Sequence, residues 1–137
     1  MKRTELRENI FKIIFRLEFN LPPEMPEQVE LQLQELKKSG KVRLDKRDEA
    51  YMKQKSLALI EQITTIDERI EQSADHWRIN RIGKVELAIL RVAVYEILFD
   101  EDVPDKVAIN EAVELAKRYG TGEAPAFING VLAKVSK

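Results

Sequence analysis

The sequence predicts an all-α protein of about seven helices organised around one central, buried helix. Three observations predict it. Val85 to Phe99, VELAILRVAVYEILF, runs without Gly or Pro and carries only three charges, Glu86, Arg91 and Glu96. At about 100° per residue those charges point in three different directions, so no broad polar face remains, and other helices must surround such a helix. Elsewhere apolar residues recur at helical spacing between Pro and Gly stops, and no stretch shows the alternation of a half-buried strand. The central run is not read as a membrane span, because spanning takes roughly 20 residues with few or no charges.

The other elements follow in order. Residues 4–19 read as a first helix with Thr4 as N-cap, and Leu6, Ile10, Ile13, Ile14 and Leu17 form its core stripe. Phe11, Phe15 and Phe19 make a second stripe, flanked near Phe15 by Glu8 and Lys12. Pro22, Pro23 and Pro26 end this helix and open the next, 26–38, which presents Val29, Leu33 and Leu36 and stops at Gly40. The connection Lys37 to Arg47 holds six Lys or Arg against one Asp. A third helix spans 46–63, with Tyr51, Leu57, Leu59, Ile60 and Ile63 apolar. A fourth spans 65–72, where Thr64 and Asp67 resemble a weak capping box. After the central helix, 105–119 is amphipathic, with Val107, Ala108, Ala112, Leu115 and Ala116 inward. The last helix begins near Pro125 and carries Phe127, Ile128, Val131, Leu132 and Val135. Gly130 within it suggests a close helix approach.

Composition narrows the function. A chain of 137 residues with 44% hydrophobic and 34% charged residues fits one soluble domain with a heavily charged surface. No cysteine is present, which removes disulfides, thiolate metal sites and cysteine nucleophiles together. No signal peptide is apparent, so the expected location is cytoplasmic, without membrane attachment. A formal net charge of −1 argues against coating nucleic acid by bulk charge, so any such contact must come from a local patch.

No enzyme emerges. His76 is the single histidine and reads as a structural or surface residue, no phosphate-cradling glycine motif occurs, and no pair of carboxylates stands out. No cofactor or metal is implied. Arg91 reads as half of a buried ion pair, with Glu111 or Glu114 on the following helix as its expected mate. The N-terminus offers a different chemistry. Lys2, Arg3 and Arg7 gather at the start of the first helix, with Lys12 and Phe15 further along it. Cations hold phosphates and an exposed ring stacks on a base, which is how single-stranded RNA is bound. Lys37 to Arg47 is a rival basic patch, and both segments have an ordinary reading as charged surface.

Four motifs in order then carry a resemblance. They are Trp77 with Arg81 to Glu86, Ala88 to Glu96, Val103 to Lys117, and Phe127 to Leu132. Together they resemble the transcription antitermination factor NusB, sharply over the last sixty or so residues and in helical pattern before that. The resemblance implies two small helical bundles, about 1–75 and 76–137, in a single RNA-binding domain. It also implies binding of the boxA segment of nascent RNA with NusE, the ribosomal small-subunit protein, in the RNA polymerase antitermination complex of ribosomal RNA operons. Carried over residue by residue, the basic segment falls on Lys2, Arg3 and Arg7, the RNA-side aromatics on Phe15 and Phe127, and a NusE-side glutamate on Glu86. The loop Thr121 to Ala126 would adjoin the RNA. Thr4, Glu5 and Leu6 interrupt the arginine-rich run seen in some members, which predicts fewer phosphate contacts, a shallower salt dependence and greater reliance on the partner.

Two other readings stand beside this one. The same domain precedes the catalytic domain of ribosomal RNA cytosine-5 methyltransferases, although this sequence ends at Lys137. A helical protein-interaction scaffold without RNA binding is the other. Monomer and homodimer both stay open, since the same apolar residues could seal a core or an interface.

Overall fold

The computed structural model describes residues 1–75 and 77–136; His76 lies outside the described residues. Among them the chain forms seven α-helices and no strand: α1 (Arg3–Phe15), α2 (Met25–Ser39), α3 (Lys46–Glu61), α4 (Ile63–Ser73), α5 (Lys84–Phe99), α6 (Asp105–Tyr119) and α7 (Ala124–Val135). Short 3₁₀ turns follow α1 and precede α2 and α5. No helix among the described residues is long and apolar enough to cross a membrane. The chain divides into two compact units, Met1–Glu61 and Gln62–Lys137. The division falls after α3, earlier than residue 75, because α4 packs against α5 and α7.

In the first unit α1, α2 and α3 pack on one another around Leu6, Ile10, Ile13, Ile14, Met25, Val29, Leu33 and Met52, all buried. Thr4 is not the cap of α1. The helix already includes Arg3, with Lys2 at the N-cap and no side-chain cap. The helix also stops at Phe15 and tightens into a 3₁₀ turn over Arg16–Glu18, so Leu17 is only half-buried. Arg16 fastens that end to α2, its Nη1 donating to Gln28 at 2.7 Å and its Nε and Nη2 to Gln32 at 3.0 and 2.7 Å. Gly40 closes α2 at φ +66°, a left-handed cap that favours glycine. Lys37 then pairs with Glu49 at 2.7 Å across the basic connection.

In the second unit α5 is the hub. Residues 87–94 are buried without a break, so every face of the helix is covered, as its missing polar face requires, and α4, α6 and α7 lie against it. Arg91 is 7% exposed and is held by a two-pronged bond to Asp67, with Nε to Oδ1 and Nη2 to Oδ2 both at 2.9 Å. One mate therefore comes from the preceding helix, α4. The same contact replaces the expected capping box, since α4 begins at Ile63 and the Asp67 carboxylate turns to Arg91. On α6, Ala108, Ala112 and Ala116 form a buried small-residue line that faces α5 and α7. Val107, about 100° off that line, is exposed and not inward. Gly130 has a bland position too: a Cβ built there meets nothing within 4 Å, so no close helix approach requires it.

Candidate nucleic-acid interface

The N-terminal cations do not form one continuous patch. Lys2 and Arg3 are exposed, and Arg3 lies against α3, where its Nη1 donates to the Tyr51 hydroxyl at 3.1 Å. The Met1 ammonium beside them donates to Asp48 at 2.8 Å, and that hydrogen bond holds its pKa above the ordinary value. Arg7 is only 6% exposed and is partnered within the protein, so its guanidinium is not offered to a ligand. Helical geometry explains the correction: Arg7 sits seven residues before Ile14, about 20° away around the helix, on the margin of the core stripe. Lys12 is exposed but nine residues beyond Arg3, hence about half a turn away. It borders an open groove of about 380 Å³ against α2, among Glu5, Glu8, Glu35 and Lys41.

Each unit carries an edge-to-face aromatic pair. In the first, half-buried Phe15 meets Phe19, with ring centroids 5.5 Å apart and planes at 68°, and Phe19 is 64% exposed. In the second, half-buried Phe127 meets Trp77 at 6.3 Å and 72°, and Trp77 is 52% exposed. Phe11, the remaining member of the predicted stripe, is a core residue. Phe15 and Phe127 thus each present one partly open ring backed by a more open one, a form suited to stacking on an unpaired base. The sequence signal for Phe19 and Trp77 was available, because both large rings stand among polar neighbours.

Glu86 is half-buried in the first turn of α5 and lines an open groove of about 530 Å³ with Trp77, Arg81, Thr121, Glu123 and Phe127. Its carboxylate rests against Gly83 and against Gly120, where a Cβ would lie 3.0 Å from Oε2, 2.6 Å from Ala124 Cβ and 2.9 Å from the Ala116 carbonyl. Gly120 is what lets the α6–α7 loop pass this close. The Gly120→Ala protein is expected to lose about 1–3 kcal/mol through overpacking, read as a lowered urea midpoint. An unchanged midpoint would show that the loop moves freely. Pro125 lies in the first turn of α7, as its fixed φ favours.

Comparisons with known proteins identify the family of this fold. The sequence profile of the NusB family matches residues 4–137. The transcription antitermination protein NusB of Agathobacter rectalis is 48% identical over 134 residues, covering 98% of this chain and 98% of its own. Among solved structures, T. maritima NusB superposes with a TM-score of 0.86 at 32% identity, covering 99% of this chain and 91% of that one. A structure of antitermination factors NusB and NusE in complex with dsRNA matches with a TM-score of 0.76 at 26% identity, covering 98% of this chain and 95% of that one. The Agathobacter rectalis relative and the NusB–NusE structure are named for antitermination and not for a catalysed reaction. A profile match along nearly the whole sequence, with a superposable all-helical fold, shows that this chain belongs to the NusB family.

Proposed function

We propose that this chain acts in the bacterial cytoplasm as an antitermination factor, binding the boxA segment of nascent RNA together with NusE and promoting read-through by RNA polymerase in ribosomal RNA operons. The observation that carries this reading is the near full-length likeness to a NusB solved with NusE and RNA. The local chemistry supports it. Lys2 and Arg3 offer exposed cations, and Phe15 and Phe127 offer partly open rings. Glu86 faces an open groove, as suits a residue on the NusE side. With Arg7 buried and Lys12 among carboxylates, only Lys2 and Arg3 of the N-terminal cations are open to phosphates, so binding to RNA alone is weak and NusE supplies the remainder. The test is a pull-down of NusE by this chain with labelled boxA RNA present. Co-capture of both supports the reading. Recovery of neither rules it out.

A further inference from the structure

The first unit brings two cations from two helices onto one phenol oxygen. Arg3 Nη1, on α1, donates to the Tyr51 hydroxyl at 3.1 Å, and Lys55 Nζ, on α3, donates to it at 3.2 Å. The same two cations lie over the Tyr51 ring, 5.3 and 5.4 Å from its centroid. A phenol oxygen that accepts from two donors has its lone pairs occupied and its own proton left to give. With two positive charges beside it, an anionic oxygen is the favoured acceptor for that proton, in a charge-assisted bond. Ring and hydroxyl also fix the direction of the Arg3 guanidinium, so less rotamer freedom is lost when it engages a ligand. Arg3 is exposed and Tyr51 half-buried, whereas Lys55 is 8% exposed, so the ligand meets the first two and Lys55 braces the phenol from beneath.

We infer that Arg3 and Tyr51, braced by Lys55, form a preorganised clamp for one phosphodiester group of the bound RNA. The inference rests on the RNA-binding reading above and adds α3 to the surface that serves it. One phosphate oxygen takes the Tyr51 proton as a hydrogen bond while the guanidinium pairs with another.

The test titrates a labelled boxA RNA oligomer against the full chain with NusE present, across a range of salt, for the wild type, Tyr51→Phe, Arg3→Ala and the double variant. Tyr51→Phe keeps the ring but removes an acceptor of the buried Lys55 ammonium, so its melting temperature should fall. Each variant is therefore titrated at a temperature where circular dichroism shows it folded. Tyr51→Phe should weaken binding roughly tenfold at every salt concentration while leaving the salt slope unchanged, because no charge is lost. Arg3→Ala should reduce the magnitude of the slope by about 0.7, the share of one phosphate on a single strand. The double variant should lose less than the product of the two single effects, because both act on one phosphate. Wild-type binding with an unaltered Tyr51→Phe affinity would overturn the clamp and leave the RNA reading intact. A second arm follows the Arg3 side-chain N–H signal by NMR while inorganic pyrophosphate is added. If the wild type ignores RNA but this signal shifts, and does so less in Tyr51→Phe, the assignment of the clamp to RNA is overturned and an anion site remains. If neither RNA nor pyrophosphate registers, both readings fall.

Discussion

Arg91→Ala is expected to destabilise the second unit by about 3 kcal/mol, the low end for breaking a buried ion pair, because the Asp67 left behind keeps 23% of its side chain in solvent. The guanidinium lies on the enveloped stretch 87–94 of α5 and joins it to α4 by two bonds of 2.9 Å. Truncation strands the Asp67 carboxylate and opens a void beside the hub. Arg91→Lys keeps the charge but not the planar fork, so it should fall between wild type and alanine. Replacing both partners with apolar residues of similar volume should cost much less than the alanine variant alone, since no orphan charge remains. Urea denaturation of the set provides the check. An Arg91→Ala midpoint equal to wild type would mean that the pair adds nothing to the fold.

Phe127→Ala should weaken binding of boxA RNA by about 1–3 kcal/mol, the range for loss of one stacked base. The loss should be similar at every salt concentration, because stacking releases no counterions. Phe127 also supports Trp77 edge-to-face, so its removal leaves that exposed indole without its neighbour. Trp77→Ala should therefore weaken binding in the same direction, and Phe15→Ala should do so from the first unit, where Phe15 backs Phe19. A Phe127→Ala protein that folds and binds like wild type would return that ring to a packing role alone.

What could be read from sequence follows from how far each signal reaches. The hub was legible because an unbroken apolar run leaves no polar face, and residues 87–94 are buried accordingly. Helix order was legible from Pro and Gly stops, with Gly40 and Pro125 in the conformations their chemistry favours. Arg7 was misplaced, although its position one heptad before Ile14 held the clue. Spacing put Arg3 and Arg7 on one side of α1 but did not say where the core margin lay. Asp67 as a mate of Arg91 was out of reach for another reason. Asp67 is 24 residues away in sequence, and its local pattern competed as a helix cap. The Arg3–Tyr51 contact spans 48 residues and has no local signature. Tyr51 looked like one more apolar position on α3 until the tertiary fold set a cation on either side of it.

The proposed RNA binding by Lys2, Arg3 and the partly open rings suffices only alongside a partner. It is tested most directly by titrating boxA RNA against the wild-type chain with and without NusE across salt concentrations. The expected result is weak binding with a shallow salt slope for the chain alone, and markedly tighter binding once NusE is added. Equal and negligible binding under all these conditions would contradict the account.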